Sequence, residues 1–157
     1  MLVGSDLIIQ RFILQQLNDP PSHPYFVFRY LALLYEKDLE IIRPLVSTCA
    51  DFSSNNVGGF SALQSACDDG NIVFVKELLN IGPKNEINFE GEVFGTPLYA
   101  TAFRGRAEIV RIVLDSGADI DRGRNGESPL DAARADHKAV TELLERRGAS
   151  ARALRED

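Results

Sequence analysis

Three times along the chain a short apolar segment starts behind a small hydroxyl residue, breaks at a turn, resumes as a second apolar segment and ends at a glycine. The first segments are Ser61-Ala62-Leu63-Gln64-Ser65-Ala66, Thr96-Pro97-Leu98-Tyr99-Ala100-Thr101-Ala102 and Ser128-Pro129-Leu130-Asp131-Ala132-Ala133. Their leucines, Leu63, Leu98 and Leu130, fall 35 and then 32 residues apart. The second segments are Val73 to Leu79, Ile109 to Leu114 and Val140 to Leu144, closed by Gly82, Gly117 and Gly148. Within them apolar residues recur at helical spacing, as in Ile109, Val110, Ile112, Val113 and Leu114, so each unit reads as helix, turn, helix, turn. A period of this length marks a repeat architecture.

Local chemistry agrees with that reading. Ser61, Thr96 and Ser128 can cap helix starts by accepting a backbone N–H, and Pro97 and Pro129 sit at the first helical position, where a missing N–H costs nothing. Gly70 and Gly105 stop the first helices, because a helix exit often needs positive φ. The broad apolar face of each second helix is more than one unit can cover, so neighbouring units must stack on one another. The predicted fold is an all-α solenoid of stacked helix-turn-helix units, with short hairpin-like loops near 55–60, 88–95 and 121–127.

These residues resemble the ankyrin repeat. The clearest copy runs from Gly95 to Asp121, with Thr96-Pro97-Leu98, Gly105-Arg106, Glu108-Ile109-Val110 and Gly117-Ala118-Asp119-Ile120-Asp121. The resemblance divides a single domain over 1–157 into repeats at 57–91 and 92–123, a C-terminal capping repeat at 124–150 and a tail at 151–157. The last copy lacks one residue near Asp136, and His137 falls where the family has its turn histidine. Residues 24–56 read as a degenerate copy, since Glu40-Ile41-Ile42 and Cys49-Ala50-Asp51-Phe52 align with Glu108-Ile109-Val110 and Gly117-Ala118-Asp119-Ile120. Pro44 falls inside its second helix and predicts a kink or a late start there. Leu7, Ile8, Phe12 and Ile13 have helical spacing, which predicts a cap helix over 5–18. No copy keeps the histidine of the family's first-helix motif: Gln64, Tyr99 and Asp131 stand there, so the usual tie between neighbours has no histidine to make it. The loop from Pro83 to Glu92 is longer than its counterpart in the next copy.

Composition narrows the class further. Apolar content of 45% with 25% charged residues is that of a globular chain. No apolar stretch reaches the roughly 18 to 20 residues that span a bilayer, and the start Met1-Leu2-Val3-Gly4-Ser5-Asp6 lacks a signal peptide's basic residues. A cytoplasmic or nuclear monomer without membrane association is the expectation. Cys49 and Cys67, like His23 and His137, have no metal-ligand spacing, so neither a metal nor a cofactor is expected. The net charge of −6 argues against nucleic acid as partner. That excess is local, with 12 acidic and 6 basic side chains in residues 1–100 against 11 of each in 101–157.

No candidate catalytic group survives inspection. Neither histidine belongs to a triad-like motif, and Gly58-Gly59 and Gly91 to Gly95 lack the spacing and lysine of a phosphate loop. Asp68-Asp69 is a paired carboxylate, but neighbours on a helix point about 100° apart and do not converge. Arg146-Arg147 is balanced by Glu142 and Glu145. The aromatic cluster Tyr25, Phe26, Phe28 and Tyr30 reads as packing against the cap helix. The chain is therefore not expected to be an enzyme.

The resemblance implies a protein-binding module, in which first helices and hairpin tips line a groove and the residues flanking the motif face an unidentified protein partner. Those positions are Val57, Phe60, Asp68 and Asp69 in the first clear copy. In the next copy they are Glu92, Val93, Phe103 and Arg104, and in the last Arg124, Asn125 and Glu127. Phe60 and Phe103 are the candidate hot spots. Asp68, Asp69, Glu90 and Glu92 come before Arg104, Arg122 and Arg124 in the chain, which predicts a groove acidic at one end and basic at the other. Two other readings are a regulatory or sensor part of a larger protein and a stack that binds nucleotide or RNA.

Overall fold

The computed structural model describes residues 61–81 and 84–150, together with Arg11. The cap helix apart from Arg11, the degenerate copy at 24–56 with Pro44, the hairpin near 55–60, Gly82 and the tail at 151–157 lie outside the described residues. Within them are six α-helices in three pairs: α1 (Ala62–Asp69) with α2 (Ile72–Ile81), α3 (Pro97–Phe103) with α4 (Ala107–Asp115), and α5 (Pro129–Arg134) with α6 (Lys138–Arg146). A 3-10 turn at Lys84–Asn88 follows the first pair. No strand occurs among the described residues; the hairpins reduce to isolated bridges, Gly91 with Gly95 and Arg124 with Glu127.

Each first helix starts as the sequence prescribes. Ser61, Thr96 and Ser128 have extended backbones, and their side-chain oxygens accept the N–H groups of Gln64, Tyr99 and Asp131. Such a cap satisfies a donor that the helix itself cannot, a contribution of about 1 kcal/mol each. Helix α5 is one residue shorter than α3, which accounts for the residue missing near Asp136.

The pairs stack in register, α3 lying between α1 and α5 and α4 contacting both α2 and α6. The core runs unbroken between the two rows of helices: Leu63, Leu98 and Leu130 from the first row meet Phe74, Ile109, Val110, Val113, Val140 and Leu144 from the second. Alanines fill the first helices because two rows of short helices must approach closely; Ala62, Ala66, Ala102 and Ala133 are all fully buried.

Polar side chains bind one copy to the next. At the two inner turns a side chain from the following repeat lies over the glycine that ends a first helix. The Arg106 guanidinium donates to the carbonyls of Asp68 and Asp69 at 3.3 and 3.2 Å, and His137 Nε2 meets the Phe103 carbonyl at 2.9 Å. Gly70 and Gly105, with φ of +82° and +71°, leave room for this; a Cβ would come within 2.5 Å of the arginine or of the imidazole. The cation at α1 also complements the negative end of the helix dipole. The role expected of His137 as a turn residue is therefore met, with arginine as its counterpart one repeat earlier. The loops carry a second recurring bond: Asn88 Oδ1 accepts the N–H of Asp119, and Asp121 Oδ1 accepts that of Ser150, each at 2.8 Å.

The missing first-helix histidines do not abolish the tie between neighbours. Gln64, fully buried, accepts the Ser61 N–H at its Oε1 and donates from Nε2 to the carbonyls of Phe89, at 3.0 Å, and Gly95. One repeat on, Thr96 Oγ1 donates to the Arg122 carbonyl at 2.7 Å, and the Thr96 N–H donates to the Gly123 carbonyl. At the histidine position itself, the Gln64 amide and the Tyr99 hydroxyl, which donates to Glu127, reach the next hairpin in place of an imidazole.

Candidate functional site

The first helices and the hairpin tips enclose a concave feature. Val93 and Phe94, from the hairpin, and Tyr99, Ala100 and Phe103, from α3, line a groove of about 190 Å³ with Asp68, Arg104 and Arg124 on its walls. Tyr99 and Phe103 are four apart on one helix, so their rings meet, with centroids 6.3 Å apart and planes 12° from parallel. Tyr99 is 6% exposed, yet Phe103 is 55% exposed and Val93 49%. A buried ring thus supports an open one. Exposed apolar side chains grouped around a concavity mark interaction surfaces.

Tyr99 is held at its far end as well. Its hydroxyl donates to Glu127 at 2.5 Å. Burial, the hydrogen bond and the Glu127 charge push its pKa from 10.0 up to about 12, against a smaller opposing pull from Arg124. A phenol whose folded pKa is raised contributes stability that is complete below pH 10.0 and is lost as the pH climbs toward about 12. In a pH titration of tyrosinate absorbance, the signal removed by Tyr99→Phe is expected to emerge near the higher value; emergence near 10.0 would show that the phenol is neither buried nor bound to Glu127 in solution.

Asp68 departs from the surface position expected of it. It is only 8% exposed, and its two carboxylate oxygens accept from Arg104 Nε at 2.7 Å and Nη2 at 3.1 Å. Asp69 is half-buried, with its carbonyl on Arg106. The expected separation into an acidic and a basic end is therefore corrected. Residues about one repeat apart in sequence are neighbours across the stack, so Asp68 meets Arg104, and Glu90 meets Arg122 at 3.9 Å. Charge alternates along the face instead of dividing it.

Among the other expected site residues, Glu92, Asn125 and Glu127 are exposed at the hairpin tips. The Glu92 carbonyl accepts Arg124 Nε at 3.1 Å, and the Asn125 N–H donates to Glu90 at 3.2 Å. The groove thus brings together Asp68, Val93, Phe103, Arg104 and Arg124, with Glu92, Asn125 and Glu127 at its hairpin side. Val57 and Phe60 lie outside the described residues. Tyr99, Phe94 and Ala100 were not among the expected site residues; the four-residue spacing of Tyr99 and Phe103 was the signal that could have found the first.

Cys67 is a buried free thiol on α1, and burial, reinforced by the Asp68 charge, pushes its pKa far up. It is a packing residue, inert as a nucleophile. Among the described residues no group of histidine, cysteine or acidic side chains is arranged to hold a metal, and no helix is long and apolar enough to cross a membrane.

Stacked helix pairs joined by hairpins, each repeat opening on a capped Ser/Thr-Pro-Leu-like turn, define an all-α repeat protein. A family model described as ankyrin repeats (3 copies) matches residues 30–122 and, overlapping, 74–154. The chain belongs to the ankyrin-repeat family. It is 29% identical to human protein phosphatase 1 regulatory subunit 27 over 117 residues, which cover 73% of this chain and 75% of that protein. It is also 34% identical to SMC5-SMC6 complex localization factor protein 1 of Homo sapiens and of Bos taurus over 85 residues. That match covers 52% of this chain but 8% of those proteins, so the chain corresponds to a small part of them.

Proposed function

We propose that the stack is a non-catalytic binding module that engages a segment of a partner protein on the face built by α1, α3 and the two hairpin tips. The observation that carries this reading is the half-exposed pair Phe103 and Val93, set over a fixed Tyr99 in the groove. The relatives lend support by their names, one a regulatory subunit and the other a localization factor of a complex, both roles defined by another protein. A regulatory or adaptor role is the form of binding that this favours, whether the chain acts alone or within a longer protein. Val57, Phe60, Asn125 and Glu127 complete the proposed face, and Asp68 contributes by fixing Arg104. The reading assigns the module to the cytoplasm or nucleus, as a monomer without cofactor.

Immobilised full chain and its Phe103→Ala variant, exposed to native cell extract and compared by quantitative mass spectrometry, provide the test. Proteins retained by the natural chain should be depleted about tenfold or more on the variant, the loss typical of a hot-spot aromatic. Equal retention by Phe103→Ala and by Val93→Ala would rule the groove out as the interface.

A further inference from the structure

The charged side chains on the groove walls are Asp68, Arg104 and Arg124. Asp68 and Arg104 close on each other through a two-pronged pair. Arg124 differs: its Nε donates to a neutral carbonyl, that of Glu92, which leaves its charge uncancelled by that bond. Glu127, outside the lining, receives the Tyr99 hydroxyl. The walls therefore hold two positive charges and one negative, in a chain whose net charge is −6. Glu92 and Glu127 stand at the hairpin side, so the positive charge is confined to the wall that Arg124 forms. An open aromatic ring beside one such arginine suits a guest with an apolar side chain and a single carboxylate.

Resting on the binding face described above, we propose that the groove takes a linear protein segment with a large apolar side chain next to a single carboxylate. The apolar side chain lies on Phe103 and Val93, and the carboxylate pairs with Arg124. Phe103 suits the first task because Tyr99 already fixes its inner face, so little side-chain freedom remains to be lost on binding. A guanidinium suits the second because its planar fork matches a carboxylate. The rest of the segment is neutral or basic, since the negative field of the whole chain repels an acidic run. Nucleic acid fits less well. A phosphate track needs successive uncancelled cations, and along this face Arg104 and Arg122 are matched by Asp68 and Glu90.

Display of random linear peptides against the full chain, followed by anisotropy titration of the enriched peptides, tests this. The enriched sequences should share an apolar residue adjacent to Asp or Glu. Phe103→Ala should weaken them about tenfold or more. Arg124→Gln should weaken them about tenfold, and its effect should vanish when the peptide carboxylate is replaced by its amide. Arg124→Lys, which keeps the charge, should recover part of the loss, and Val73→Ala, on the exposed side of α2, should change nothing. Circular dichroism should show all four variants folded, since none alters a core side chain.

Binding that depends on Phe103 but ignores the amide replacement would leave the groove as interface and overturn the acid preference. Peptides indifferent to Phe103→Ala would overturn both this proposal and the binding-face reading. Failure to enrich any peptide, or displacement of bound peptide by single-stranded oligouridine, would overturn the peptide proposal.

Discussion

Leu98→Ala should lower the free energy of unfolding by about 2 to 5 kcal/mol, the range for emptying a fully buried leucine site. Leu98 has no exposed surface, and it lies on α3, the helix placed between α1 and α5. In a repeat stack, stability resides in contacts between neighbours as much as within units, so the cavity weakens the packing of both flanking copies. Urea denaturation followed by circular dichroism would show the midpoint falling for the whole transition. A loss below about 1 kcal/mol would mean that the leucine register assigned to the repeats is wrong.

Gln64→Leu should cost about 3 kcal/mol, although the two side chains have similar volumes. The substitution removes the acceptor of the Ser61 N–H and the donor to the Phe89 and Gly95 carbonyls. The Gly95 carbonyl keeps the Gly91 N–H, but the Ser61 N–H and the Phe89 carbonyl each lose their partner at about 1 to 3 kcal/mol, and leucine's added apolar contact offsets only part of that sum. Gln64→His should fall between the natural chain and Gln64→Leu, since an imidazole can donate one of the two lost bonds. Equal stability of the leucine and glutamine forms in urea would show that the tie between this repeat and the next loop is dispensable.

The elements were legible in the sequence because they depend on local chemistry. Caps at Ser61, Thr96 and Ser128, prolines at the first helical position and glycines at the exits act within a few residues, and the recurring leucines carry the stacking register. His137 was legible for the same reason: its place in the turn determines that it faces the preceding repeat. What the chain order obscured is chemistry across the stack. Asp68 and Arg104 stand 36 positions apart and touch, so a charge profile taken along the chain reports as separated what the fold interleaves. The Gln64 tie is hidden from residue type alone, because the site requires only a donor of sufficient reach, which a glutamine supplies as well as a histidine.

The groove was half legible. Val93, Phe103, Arg104 and Arg124 flank the repeat motif, where a partner-facing role is implied by position alone. Tyr99 occupies a motif position and so reads as structural, yet it forms the floor on which Phe103 rests and is tied to the next hairpin through Glu127. A motif residue that departs from its family's type can therefore belong to the fold and to the binding face at once.

The most direct test of the binding face is photo-crosslinking in living cells, with a photoreactive phenylalanine analogue placed at Phe103 and, separately, at Val73. Both positions are about half exposed, at 55% and 49%, so solvent access does not distinguish them. One is on the groove and the other on α2. Crosslinked partner at position 103 and none at 73 is the predicted result. Partner captured from position 73 and absent at 103 would contradict it, and would move the interface to the second helices.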